Sequence, residues 1–203
     1  MGMVPTKGNL IIAKNTLALS QTGYGLLDKK RNILIREMME LIDVAKQIQN
    51  EIETTFKAAY SALQQANLDI GVDDVEKVGL SIDIENSVEV KFRSVMGVEI
   101  PIVCMDTPSK LPTYGLRKTT SSLDEAWEKF NNVKLLTKKL AQIENSVFRL
   151  ADSIKKTQKR ANALKNIMIP RYIAETKNIQ NALEEKEREE FSRLKVIKAN
   201  KRT

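Results

Sequence analysis

Few side chains in this sequence have types and spacing that invite a chemical reading. Acidic pairs stand at Asp73-Asp74 and Asp124-Glu125, where two carboxylates side by side could do acid/base work. Neither pair has a base or a clustered apolar cleft beside it, and such pairs are ordinary on helix starts and loops, so both are read as solvated carboxylates. Gly23-Tyr24-Gly25 lacks the third glycine and the preceding strand of a dinucleotide fingerprint, and no glycine-rich stretch ends in Gly-Lys-Ser/Thr. There is no histidine, which removes the commonest general base, the Ser/His and Cys/His nucleophile pairs and imidazole metal ligands. Cys104 is the single cysteine; it can make neither an internal disulfide nor a cysteine zinc site, and a lone thiol fits a reducing compartment. The chain reads as a non-enzyme, with no catalytic residue, no cofactor and no metal.

The elements that would position any site are more legible. With 203 residues and 23.0 kDa, the chain suits one domain or one long helical assembly. Only 8 Gly and 5 Pro occur, too few for the turns of an immunoglobulin-like sandwich or a barrel. The 42% hydrophobic content can bury a core, which excludes a disordered chain. No apolar run approaches the length of a bilayer span, and Met1 to Leu10 lacks the apolar core of a signal peptide. A soluble intracellular protein is expected.

Gly and Pro are absent between Leu26 and Ile70, between Leu116 and Ile169, and after Arg171. This divides the chain into an N-terminal helix (1–67), a middle insert (68–118) and a C-terminal helix (119–203). In the first part a 3,4 spacing runs through Leu10, Ala13, Leu17, Ser20, Tyr24, Leu27, Arg31, Leu34, Met38, Leu41, Ala45, Ile48, Ile52, Thr55, Ala59, Ala62 and Ala66. So long a heptad seam is a coiled-coil signal, over a helix about 90 Å long. The last part repeats it through Leu123, Ala126, Phe130, Val133, Leu136, Leu140, Ile143, Val147, Leu150, Ile154, Ala161 and Leu164, with Thr157 as a polar break. After Pro170 it continues loosely through Ile173, Ile179, Leu183, Phe191 and Leu194. Ser122 is the expected N-cap, with Asp124 and Glu125 in the first turn. From there the helix would run about 115 Å, outreaching the other.

The middle insert alternates with period two. Leu80, Ile82 and Ile84, then Val88, Val90 and Phe92, flank Asn86-Ser87, which predicts a two-stranded hairpin turning there. Val98 to Met105 reads as a further short strand confined to an edge by Pro101, and Pro108, Pro112 and Gly115 make a loop. The fold class is therefore mainly α: a long antiparallel two-helix coiled coil with a small hairpin-containing insert. Both termini are expected at one end of the coil, with the insert near the other end or on the flank. An isolated hairpin is marginal in water, so it is expected to lean on the coil or on a partner.

Charge is concentrated at one end. Residues 155–203 carry 14 basic and 6 acidic groups, a balance of +8 against +7 for the whole chain. A basic end admits a nucleic-acid reading. Few aromatics for stacking, no recognised motif and the run Glu184, Glu185, Glu187, Glu189, Glu190 favour a solvated or protein-facing tip instead. Arg31 on the seam reads as a side chain snorkelling outward, or as a polar break that fixes register or meets a partner. Gly23 and Gly25 mark either a locally weak helix or a close approach of a neighbouring backbone. Pro170 removes an N–H and crowds the carbonyl of Asn166, which predicts a bend.

Pro5-Thr6-Lys7, then Gly23, Leu26, Leu27, Lys30, Arg31 and Leu34, then Thr157, Arg160, Asn162, Ala163 and Leu164 with Ile169-Pro170, and finally Leu183-Glu184-Glu185 with Glu187, Arg188, Glu189, Arg193, Leu194 and Lys195 stand in this order. Together they resemble the D subunit of V-type (vacuolar/archaeal-type) rotary ATPases over nearly the whole chain. Gly25 and Asp28 depart from that family's pattern, which often has Lys there, and the insert matches only in character. The resemblance implies a non-catalytic central rotor axle whose paired helix ends enter a three-fold head of A and B subunits. It also implies contact with the small F subunit of the rotor and with a funnel-shaped protein above the membrane ring, on the cytoplasmic face and with no bilayer insertion. Expected head-facing contacts are Arg160, Arg171, Arg188, Arg193 and Lys195. Ile82, Ile84, Val88, Val90 and Phe92 are the expected contacts for the small rotor partner. Two other classes stand behind this reading: a free-standing coiled-coil scaffold or homodimer, and a basic nucleic-acid binder.

Overall fold

Helix α1 (Lys7–Ile70) begins where the chain supplies its own cap. The Thr6 hydroxyl accepts the Asn9 N–H at 3.2 Å, and the Asn9 side chain donates to the Val4 carbonyl at 2.8 Å. Two of the first turn's polar groups are thus tied, which gives Pro5-Thr6-Lys7 a physical role in helix entry. The computed structural model describes residues 4–82, 88–104, 114–115 and 119–201. After α1 come a short helix α2 (Val72–Ser81), strands β1 (Glu89–Val95) and β2 (Val98–Cys104), and helix α3 (Ser121–Ala163). A π turn, Leu164–Met168, then leads into helix α4 (Ile169–Asn200). Among the described residues no helix is long and apolar enough to cross a membrane.

All seventeen α1 seam positions, Leu10 to Ala66, are buried or half-buried, and so are their counterparts on α3 from Leu123 to Leu164. The chain forms two compact units, one of residues 34–153 and one of residues 1–33 with 154–203. In the first unit Ser122 donates to Asp69 at 2.6 Å, and Tyr60 meets Phe130 edge to face at 5.6 Å. In the second, Arg31 meets Gln158 at 2.8 Å, Lys165 lies 5.7 Å over the Tyr24 ring, and Lys7 pairs with Glu187 at 3.0 Å. In each unit the partner numbers fall as the α1 numbers rise, so the helices pair antiparallel.

The seam is not uniformly bulky. Leu34 and Leu150 are sealed from solvent, whereas Ala59, Ala62 and Ala66 fill its other end. Buried Ser20 and Ser146 return their hydroxyls to the carbonyls of Thr16 and Gln142, both at 2.7 Å. Neither hydroxyl is left orphaned. A Cβ on Gly23 would sit 3.7 Å from Leu164 Cδ1, an ordinary contact, and Gly25 has open space around it. Close backbone approach therefore does not account for either glycine.

Three expectations need correction. Ser122 is not the cap of α3: Thr120 takes that place, its carbonyl accepting the Leu123 N–H at 3.1 Å, while Ser122 sits in the first turn and donates to Asp69. Leu80 belongs to α2 rather than to a strand, because Val72, Val75 and Val78 set a helical spacing that continues to Ser81. The hairpin is β1 with β2, turning at Met96-Gly97, where both residues have positive φ, 51° and 78°. That is the twist-matched two-residue turn. Ile84, the Asn86-Ser87 turn, Pro108 and Pro112 lie outside the described residues.

The third correction concerns the C-terminal seam. The N–H of Ile169 reaches back to the Leu164 carbonyl, the wider spacing of a π turn. It lies immediately ahead of Pro170, whose ring cannot join a regular α ladder. The extra residue moves the inward face along by one: Tyr172, Thr176 and Ile179 turn inward, whereas Ile173, Phe191 and Leu194 are exposed.

At the Ile70 end of α1, Tyr114 packs with Ala66 and Leu123, flanked by Ile70, Val75, Val78 and Trp127. Its hydroxyl donates to Asp124 at 2.6 Å. Burial first, then that bond and the carboxylate's charge, push the phenol well above its ordinary range. The folded chain thus keeps Tyr114 protonated where the unfolded phenol, at about pH 10, ionises. The stabilisation is complete below that pH and should fall by about 1.4 kcal/mol per pH unit above it. Denaturation midpoints followed from about pH 9 to 11 should show this slope in the wild type and its loss in Tyr114→Phe.

Candidate partner-binding surfaces

The hairpin lies on the flank of its unit, held by polar side chains of both long helices. Arg93 pairs with Glu37 of α1 at 2.8 Å. From α3, the Gln142 side-chain oxygen accepts the Val103 N–H at 2.9 Å, and Arg149 donates to the Glu99 carbonyl at 3.2 Å. The Arg149 guanidinium also stands 5.2 Å over the Phe92 ring, a cation–π contact. Ile100 and Pro101 are buried beneath this clamp. The marginal hairpin is therefore fixed by the coil.

What it presents outward is apolar. Val90 and Phe92 are 49% and 56% exposed, with Val88 and Ile82 also open. Between them and α3 runs a groove of about 240 Å³ lined by Val90, Phe92, Pro101, Val103, Ala141 and Arg149. Of the five residues expected to meet the small rotor partner, Val90 and Phe92 are exposed on the hairpin, Val88 just ahead of it and Ile82 at the end of α2, and Ile84 falls outside the described residues. Arg149 and Gln142 give no signal in the sequence: a long polar side chain that caps a strand edge leaves no periodic trace.

The second surface is the end of α3 with α4. Arg160, Arg171, Arg188, Arg193 and Lys195 are all exposed. They are not gathered into one cluster, and Arg171 is engaged with Glu175 at 3.2 Å. Phe191 lies among them, facing solvent. The seam candidates Leu17, Leu27, Leu34, Leu41, Ile48, Ile52, Leu140, Ile143, Val147, Leu150, Ile154 and Leu164 all face inward.

Three of the four carboxylates in the acidic pairs have structural employment. Asp74 binds Lys77 at 2.8 Å, Asp124 holds Tyr114, and Glu125 binds Lys129 at 2.6 Å. Arg31 resolves the two readings offered for it. It bonds Asp28 on its own helix at 2.6 Å and Gln158 on the opposite one at 2.8 Å, and Gln158 in turn donates to Asn162 at 2.7 Å. It is a polar interlock rather than a snorkelling chain.

In each unit a stretch of α1 pairs antiparallel with the C-terminal helices; the hairpin is clamped within the unit of residues 34–153, and exposed charged residues run along α4 in the other. The sequence matches the profile of the ATP synthase D subunit family over residues 9–199. It is 43% identical over 198 residues to the V-type ATP synthase D subunit of Thermotoga neapolitana, covering 98% of both chains. It is 40% identical to the A-type ATP synthase D subunit of Methanobrevibacter smithii, covering 98% of this chain and 87% of that one. The A-type ATP synthase D subunit of Thermococcus kodakarensis is 35% identical over 98% of this chain and 94% of its own. The chain belongs to the D subunit family of V/A-type ATP synthases.

Proposed function

We propose that this chain is the central axle of a V/A-type rotary ATPase. It couples ATP hydrolysis or synthesis in a head of A and B subunits to proton or sodium movement through the membrane ring. The reading rests on one observation above all: two unequal antiparallel helices with a long inward seam, in a chain that aligns end to end with D subunit relatives. A paired shaft resists twisting better than a single helix. It must also be asymmetric, because contacts equal in all states shift no equilibrium among three identical sites. The unequal helices and the π turn ahead of Pro170 supply asymmetry.

In this reading the chemistry belongs to the head, and the chain itself is non-catalytic. The helix ends with Arg160, Arg171, Arg188, Arg193 and Lys195 face the head. The hairpin side takes the small F subunit, and the lower part docks on the funnel-shaped protein. The assembly sits on the cytoplasmic face, with no bilayer insertion and no nucleic acid. The test is charge reversal, Arg188→Glu with Arg193→Glu and Lys195→Glu, in the reconstituted complex. Ion transport per ATP hydrolysed should drop several-fold while the melting temperature of the isolated chain stays within a degree or two, since exposed charges contribute little to folding. Normal coupling in that variant would remove the head-facing assignment. A homodimer as the sole species recovered from cells would remove the axle reading.

A further inference from the structure

The two edges of the hairpin are treated differently by the fold. Val95 and Val98 flank the two-residue turn, so they form a hydrogen-bonded pair, and the pairs alternate from there. Arg93↔Ile100 and Lys91↔Ile102 are bonded within the ladder. At Val90↔Val103, Phe92↔Pro101 and Ser94↔Glu99 the backbone groups point away from it. On β2 that outward row is partly occupied by α3. The Val103 N–H is taken by Gln142, Pro101 has no N–H, and the Glu99 carbonyl is taken by Arg149. On β1 the matching N–H and C=O groups of Val90, Phe92 and Ser94 meet no partner among the described residues. Every residue of β1 from Glu89 to Ser94 is exposed.

We infer that the outer edge of β1 is a strand-addition site, taking an extended segment of the small rotor partner as a third strand. This rests on the hairpin contact proposed above and specifies how it is made. A seven-residue strand with an open row of backbone groups is a template for such pairing, and α3 engages part of the opposite edge on β2. The occupant's side chains follow from the pleat. Positions opposite Val90 and Phe92 extend the apolar face over the groove and are apolar. The position opposite Lys91, which has no ion-pair partner among the described residues, is acidic. The incoming segment therefore alternates apolar, acidic, apolar.

Residue-resolved amide exchange on the full chain, alone and saturated with the F subunit, tests this. Alone, the inward N–H groups of Lys91 and Arg93 should be protected and those of Val90, Phe92 and Ser94 should exchange freely. In the complex the latter three should slow by about tenfold or more. Ser94→Pro removes one outward N–H without touching the ladder and should weaken binding at least tenfold, with the Lys91 and Arg93 amides still protected; Ser94→Ala should bind normally. If Phe92→Ala weakens binding but the outward amides stay fast and Ser94→Pro binds normally, the hairpin contact stands and strand addition is overturned. If deleting the hairpin leaves affinity unchanged, the contact itself falls. Outward amides already slow in the free chain overturn the inference as well, because the edge is then occupied from within.

Discussion

Leu150→Ala should cost about 3 kcal/mol of stability, read as a lowered denaturation midpoint at unchanged slope. Among the described residues Leu150 is one of two leucines with no solvent exposure at all. Truncation there removes buried methyl groups and leaves a hole in a two-layer seam, where a single residue spans most of the local core. Leu34→Ala should behave alike. The control is two residues away: Phe148 is larger, but it is 75% exposed, and Phe148→Ala should change stability by no more than about 0.5 kcal/mol. A leucine outweighing a nearby phenylalanine follows from helical phase alone. Equal effects at the two positions would mean that α3 is rotated about its axis from this phase.

The π turn supports the second large effect. Because Leu164–Met168 holds one residue more than an α-helix would, deleting exposed Asn166 should let the helix close into regular α geometry with Tyr172, Thr176 and Ile179 still facing inward. Pro170 would then stand in a regular helix interior, at a cost of about 3 kcal/mol. Deletion of Asn166 alone should therefore lower the melting temperature sharply. Deletion combined with Pro170→Ala should restore it to the wild-type value or above, and that non-additivity is the signature. Additive losses would show that the π turn serves something other than the proline.

The seam is legible in the sequence because little besides a paired helix produces a 3,4 spacing over so many turns. Leu34 and Leu150 both follow from it, as does the mainly α fold. The hairpin is displaced by one strand from its expected place for an equally physical reason. Leu80 and Ile82 alternate with polar neighbours as strand residues do, but short apolar runs fit either period. The actual turn, Met96-Gly97, places a methionine at positive φ where asparagine would have advertised itself. Ile173, Phe191 and Leu194 are apolar, which reads as inward, but they lie off the phase that the π turn sets for Tyr172, Thr176 and Ile179. The clamp formed by Gln142, Arg149 and Glu37 is invisible in the sequence, since contacts between residues distant along the chain and unlike in type leave no pattern to read.

The Arg31 interlock bears on how a helix pair fails. An apolar seam resists separation of its two strands, but it resists their sliding only weakly, because each leucine finds a similar hollow one heptad further on. Torsion applied to a two-stranded rod is relieved by that sliding. Arg31 meets its Gln158 acceptor at one axial position only, and slipping the helices would break that bond, leaving Arg31 with only Asp28 and Asn32 of its own helix. The cluster works as a key in a keyway, adding little to the strength of the joint and fixing where along its length the joint must close.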